Sequence, residues 1–324
     1  MGKIGFTTSI PVEVILAAGK TPVDLNNIFI TSQQAGQYVE EAEVAGYPRN
    51  TCGWIKGLYS VSLQTDIEAV IAVMQGDCSN TQALMETLLL KGKKIIPFAY
   101  PFDRDRQTLQ GQIHKLMDFF GVSADLVMEK KRELDSIRQL CREVDYMTWH
   151  GNLVTGWENH YYLVSSSDFN SDPLSFAQEL TQFIENANKR QPFENEVRLA
   201  FLGVPPIFTD LYQVIESLGA RVVYNEVQRQ FSMPYSTDNI VDQYLYYTYP
   251  YGVFPRLQDI EEELRKRKVD GIIHYTQTFC FRQIEDIIMR KKLDWPFLSL
   301  EGDRPGKVDA RTRMRLEAFI NMLK

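Results

Sequence analysis

Cysteine is scarce in this chain, four residues in 324, and its surroundings exclude most of what cysteines usually do. Four thiols are too few to staple a fold of this length. No Cys-x-x-Cys pair occurs, so a ferredoxin-type spacing is absent. Long apolar runs are missing too, and no stretch resembles a membrane span. The basic residues form no run: residues 129–132 are short and mixed in sign, and the net charge of -7 argues against nucleic acid as the main partner. Nucleotide motifs fail as well. Residues 302–307 read GDRPGK, with the wrong spacing for a P-loop and no Ser or Thr after the lysine, and no GxGxxG opens the first strand-to-helix turn. There is no nucleophile elbow, and His114, His150, His160 and His274 lack metal-ligand spacing. The opening residues run into a strand-like segment without an apolar signal region, so a cytoplasmic protein is expected.

What is present is an ordinary globular composition, 44% hydrophobic and 24% charged, in a chain long enough for two or three domains. Residues 3–25 read strand, helix, strand, with Pro11 at the helix start and Gly19 just past its end. A unit of that kind implies a parallel sheet. Residues 33–45 read as helix, 48–52 as loop, and 93–99 as a further strand. From 107 to about 144 the periodicity is helical throughout, with a break at Gly121. Residues 146–172 carry glycines and a serine triplet and read as loop-rich, and 173–189 is helical again. A second strand–helix–strand pattern starts at Glu196 and runs to Tyr224. Residues 244–251 form an aromatic, loop-like segment suited either to lining a pocket or to ordinary packing. The expected architecture is α/β: an N-terminal parallel-sheet domain at 1–105, a helical domain at 106–192, and a C-terminal parallel-sheet domain at 193–324, with no convincing sequence repeat between the halves.

The chain is organised around residues 66–90. An apolar run reads as a buried strand, Gly76 and Asp77 as a turn, and a helix begins near residues 79–81. Cys78 therefore sits just before a helix N-terminus, where amide groups and the helix dipole favour thiolate over thiol. Cys280 repeats the arrangement, and Cys52 also precedes a helix. Cys141, by contrast, falls on an apolar helix face and reads as a buried structural thiol. If the three junction cysteines converge, iron–sulfur and zinc chemistry both suit them. His274 or Asp77 would close a four-ligand zinc site; a cubane would instead leave one iron without a cysteine. Thr7, Thr8 and Ser9 lie on the loop after the first strand, at the strand end where ligands of parallel sheets bind.

Several stretches together resemble the 2-hydroxyacyl-CoA dehydratase and benzoyl-CoA reductase family. They are Gly5-Phe6-Thr7-Thr8-Ser9-Ile10-Pro11-Val12-Glu13-Val14, Thr51-Cys52, Gly76-Asp77-Cys78, Arg198-Leu199-Ala200-Phe201-Leu202-Gly203-Val204-Pro205, Ile215-Glu216-Ser217-Leu218-Gly219-Ala220, Asp270-Gly271-Ile272-Ile273 with Cys280, and Arg315-Leu316-Glu317-Ala318-Phe319. The likeness runs over nearly the whole chain. It implies two flavodoxin-like domains and a 4Fe-4S cluster, one per chain, held by Cys52, Cys78 and Cys280. It further implies an acyl-CoA substrate, a dimer with an identical or homologous subunit, and a separate ATP-hydrolysing iron–sulfur activator that delivers one low-potential electron. The implied reaction is radical dehydration of a 2-hydroxyacyl-CoA. A reductase of the same family, acting on an acyl-CoA or on a non-CoA small molecule, is the alternative. Zinc-bound or empty cysteines in a non-catalytic scaffold are a third.

Overall fold

A computed structural model describes residues 2–194 and 197–324. Two four-stranded, all-parallel sheets form its frame. The first contains β1 (Lys3–Phe6), β2 (Thr21–Asp24), β3 (Ala69–Gln75) and β4 (Ile95–Ala99) in the order β2-β1-β3-β4. The second contains β5 (Val197–Gly203), β6 (Ala220–Asn225), β7 (Gly271–Gln277) and β8 (Phe297–Gly302) in the equivalent order β6-β5-β7-β8. This is the expected pair of Rossmann-like α/β units. Glu196, where the second unit was expected to start, lies outside the described residues, and the described strand opens at Val197.

Side chains alternate across each strand, so each sheet feeds two apolar layers. Ile4, Phe6, Ile71, Val73, Ile96 and Phe98 face a layer shared with the helices Arg106–Phe120, Ala124–Tyr146, Gly156–Ser165 and Pro173–Ala187. Val70, on the opposite face, joins a middle layer that also contains Leu199, Phe201, Ile273 and Tyr275 from one face of the second sheet. Ala200, Leu202 and Ile272 pack outward against the helices Val253–Lys266 and Arg282–Lys292. The middle layer takes residues from both sheets into one buried apolar cluster. Each fully buried Leu, Ile, Val or Phe in it contributes about 1.5–3 kcal/mol, against about 0–1 kcal/mol for an exposed ion pair, so apolar burial fixes the relation of the halves.

The sequence reading needs correcting in four places. Residues 146–172 are not loop-rich: a π turn spans Met147–Gly151, and an α-helix, Gly156–Ser165, begins at a capping box in which Thr155 accepts from the Glu158 amide and Glu158 reaches back to the Thr155 amide. The box satisfies two orphan donors, outweighing the glycine and serine signals. Short helices at Leu25–Thr31 and Glu226–Phe231 were not expected; each starts directly on a strand end, leaving no loop to announce it. Finally, Tyr244 lies in the helix Ile240–Tyr246 rather than a loop, and Tyr244, Tyr247, Tyr249 and Tyr251 are all buried. Among the described residues no helix is long and apolar enough to cross a membrane.

A buried charge ties these aromatics to the first sheet. Glu13 is fully buried and accepts from Arg138 at 2.7 Å, Gln243 at 2.7 Å and Tyr244 at 3.0 Å. Replacing Arg138 with Leu strands the carboxylate without its cation, a change that costs about 3–5 kcal/mol in buried pairs. The urea midpoint of Arg138→Leu should therefore fall by that equivalent, and a midpoint within error of wild type would show that the Arg138–Glu13 contact adds nothing to stability.

Candidate functional site

Ligands of doubly wound sheets bind beyond the carboxyl ends of the strands, where the strand order reverses. In the first sheet the order reverses between β1 and β3, and in the second between β5 and β7. Both reversals open onto one cavity with about 910 Å³ of empty space, part of it open to solvent. The loop after β1 brings Thr7 and Thr8 to its wall, and the loop after β3 brings Asp77 and Cys78. Val204, Pro205 and Pro206 follow β5, while Cys280 and Arg282 follow β7. Cys78 and Cys280 hold equivalent places: β3 ends at Gln75 and β7 at Gln277, and each cysteine is the third residue beyond. A repeated Gln-x-x-Cys at the two strand ends was thus a signal in the sequence that only the paired topology makes visible.

Cys52 reaches the same cavity from the N-cap of the helix Gly53–Gln64. A side chain at residue 53 would place its Cβ 2.6 Å from the Asp303 carbonyl oxygen, so glycine is what lets this helix end meet the chain beyond β8. Gly76, at φ +94°, similarly turns the Cys78 loop where a Cβ would lie 2.8 Å from the Pro250 carbonyl oxygen.

The three thiols feel one another: Cys280 raises the pKa of Cys52, and both raise that of Cys78. The expectation of a ready thiolate at Cys78 is nevertheless wrong. Burial dominates at every one of the three, pushing Cys52 up to about 11 and raising Cys78 and Cys280 as well. Amides only partly oppose this. The Asn80 N–H donates to Cys78 Sγ at 3.4 Å, and the amides of Trp54 and Arg282 lower Cys52 and Cys280 respectively. In each case the strongest opposing amide belongs to the residue two positions after the cysteine. Thiols so desolvated ionise only against a positive centre among them.

One metal ion does not meet that description. Among the described residues no group of three or more His, Cys, Asp or Glu side chains is placed to hold a single ion. His274, a candidate fourth ligand, points away: its Nδ1 lies 2.8 Å from Asp286 and it does not line the cavity. Asp77 does line it, with its carboxyl pushed up to about 7 by burial. Cys52, Cys78 and Cys280 all line the one cavity, and thiols are donors of the kind that iron–sulfur groups and zinc take. Of the other sequence candidates, Ser9 is buried behind the wall and Cys141 is fully buried in the helical layer.

Several wall residues escaped the sequence reading. Arg282 is buried, stands 4.5 Å from the centre of the Tyr249 ring and donates to the Tyr249 carbonyl oxygen at 3.0 Å. It begins the helix Arg282–Lys292, where the helix dipole disfavours a cation; that misfit was its only sequence signal. Buried ion pairs hold it: Arg282 to Glu285 at 3.2 Å, Glu285 to Arg256 at 2.6 Å, and Arg256 to Glu226 at 2.9 Å. Glu226 also accepts from the Gly203 amide at 3.2 Å, so the chain links the loops after β5 and β7. On the opposite wall Asp24 lies beside Asp168, whose carboxylate accepts from the Asp24 amide at 2.8 Å.

The family description that matches this chain is 2-hydroxyglutaryl-CoA dehydratase, D-component, over residues 7–323. No curated protein matches it.

Burial and the neighbouring Asp24 push Asp168 up to about 7 from an ordinary 3.8. A carboxyl raised on folding binds its proton more tightly in the native state, so its contribution is full below pH 4 and is lost as pH rises through 7. The stability of wild type relative to Asp168→Asn should decline from pH 5 to pH 8, read as urea midpoints at each pH. A constant difference would mean that Asp168 is ionised throughout.

Proposed function

The chain belongs to the 2-hydroxyglutaryl-CoA dehydratase D-component family, and from that premise we propose that it is the cluster-bearing subunit of a radical 2-hydroxyacyl-CoA dehydratase. The observation that carries the reading is the meeting of Cys52, Cys78 and Cys280 at one cavity where both sheets reverse their strand order. In this reading the three thiolates hold one 4Fe-4S cluster per chain. Such a cluster supplies a low-potential single electron and a Lewis-acidic iron corner.

The chain's own groups give the cavity its character. Arg282 is the cation beside Cys280 and Asp77, and it offsets part of the negative charge that thiolates and sulfides bring. Val204, Pro205, Phe231, Ile30 and Leu58 make much of the remaining wall apolar, which lowers the polarity around a radical. Thr7 and Thr8 add hydroxyls at the end of β1.

The reaction is a dehydration with no net redox change. One electron, delivered by a separate ATP-hydrolysing activator, adds to the thioester carbonyl of a 2-hydroxyacyl-CoA and gives a ketyl radical anion. That anion expels the 2-hydroxyl as hydroxide, the resulting enoxy radical loses a proton from the neighbouring carbon, and the electron returns as the 2-enoyl-CoA leaves. The balance is substrate to enoyl thioester plus water. An identical or related subunit completes a dimer in this reading.

Anaerobic reconstitution followed by elemental analysis should give about four irons per chain with a visible sulfide-to-iron band. Cys52→Ser, Cys78→Ser and Cys280→Ser should each lower the iron content, and Cys141→Ser should not. Colourless, iron-free wild-type protein would end the proposal. An iron-loaded protein whose spectrum ignores every acyl-CoA ester titrated into it would point to a reductase working on another small molecule.

A further inference from the structure

His160 lies on the helix that the sequence hid, and it lines the cavity. We propose that it presents a fixed Nε2–H to the cavity and donates it to the thioester carbonyl oxygen of a bound acyl-CoA. The proposal rests on the reading that an acyl-CoA occupies this cavity.

The tautomer follows from a chain of hydrogen bonds anchored on backbone. Asn225 Nδ2 donates to the Gly156 carbonyl at 3.1 Å, and a carbonyl can only accept, so the amide orientation of Asn225 is fixed. Its Oδ1 must then accept, and does so from Tyr212 at 2.8 Å. With its only proton so used, the Tyr212 oxygen accepts from Gln228 Nε2 at 3.2 Å. The same Gln228 nitrogen lies 3.0 Å from His160 Nδ1, which therefore accepts. The proton of a neutral imidazole is left on Nε2. Asn159 braces the chain from the other side, accepting from Asn225 at 2.8 Å while donating to Thr148 at 3.0 Å and Asp145 at 3.2 Å. Asp145 is in turn clamped by Arg267 at 2.8 Å. Among the described residues His160 Nε2 has no hydrogen-bond partner, and His160 lines the cavity.

Burial pushes His160 down to about 4, so the ring stays neutral at physiological pH. A neutral imidazole N–H donates a hydrogen bond without surrendering its proton. That property fits an oxygen on which negative charge develops but must remain to expel a leaving group. An imidazolium would protonate the same oxygen and remove the driving force.

Three measurements on the cluster-loaded enzyme test this. Nitrogen-15 spectra of histidine-labelled protein should show His160 as the Nε2–H tautomer, unchanged from pH 5 to pH 8. Gln228→Glu, which replaces the donor at Nδ1 with an acceptor, should move the proton to Nδ1 or charge the ring. Infrared spectra of 2-hydroxyglutaryl-CoA labelled with carbon-13 at the thioester carbonyl should show the bound carbonyl band at higher frequency in His160→Leu than in wild type. In turnover, kcat and kcat/KM of His160→Leu should fall together by about 100-fold, as on loss of one oxyanion donor. The opposite tautomer in wild type, or an unmoved carbonyl band in a variant that still binds the thioester, overturns the proposal while the functional reading stands. Wild type that binds no acyl-CoA defeats both, and the nitrogen spectra then still report the tautomer, so the two failures are distinguishable.

Discussion

One apolar layer shared by two sheets is the constraint on which the site depends. Leu199, Phe201, Ile273 and Tyr275 of the second sheet join Val70 of the first in a single buried cluster. Close packing resists adjustment there, since a well-packed interior tolerates neither voids nor excess volume. The sheets are thereby locked with their points of strand reversal toward a common space. Each sheet alone would offer one cysteine on a ligand-binding edge. Only the locked pair brings Cys78 and Cys280 to one cavity, and the tight approach of Gly53 to Asp303 adds Cys52.

Dehydration then sets the chemistry. Burial is the largest influence on all three thiols and on Asp77, and it drives each toward its neutral form. A site of that kind holds little negative charge by itself. The buried pairs from Arg282 back to Glu226 hold a cation beside Cys280 in place, and because each partner is itself ion-paired, the arrangement resists rotation as well as dissociation.

Buried amides constrain the polar interior as well. The amides of Asn159, Asn225 and Gln228 each have their orientation dictated by a neighbour, ending on a backbone carbonyl. The amide orientations are fixed by these donors and acceptors, while Gln228 Oε1 is itself buried without a partner among the described residues. A donor presented by such a network is positioned before any ligand arrives, and preorganisation of that kind is the main source of electrostatic catalysis.

Strand and helix periods in the sequence determined the α/β class, both strand–helix–strand units, and the placement of Cys52, Cys78 and Cys280 just ahead of helices, because those features depend on residues within a few positions of one another. The strand-end helices at Leu25–Thr31 and Glu226–Phe231 escaped, as did the helix of His160, because caps and neighbours there outweigh composition. Tertiary structure alone decided that burial raises the pKa of the thiols, that His274 faces Asp286 instead of the cavity, and that Arg282, Asp24 and His160 line one cavity with the cysteines. The reason is distance along the chain. Burial and convergence depend on which layers pack together, and the packing of two sheets across one apolar layer is a property of the whole chain that no local window of sequence contains.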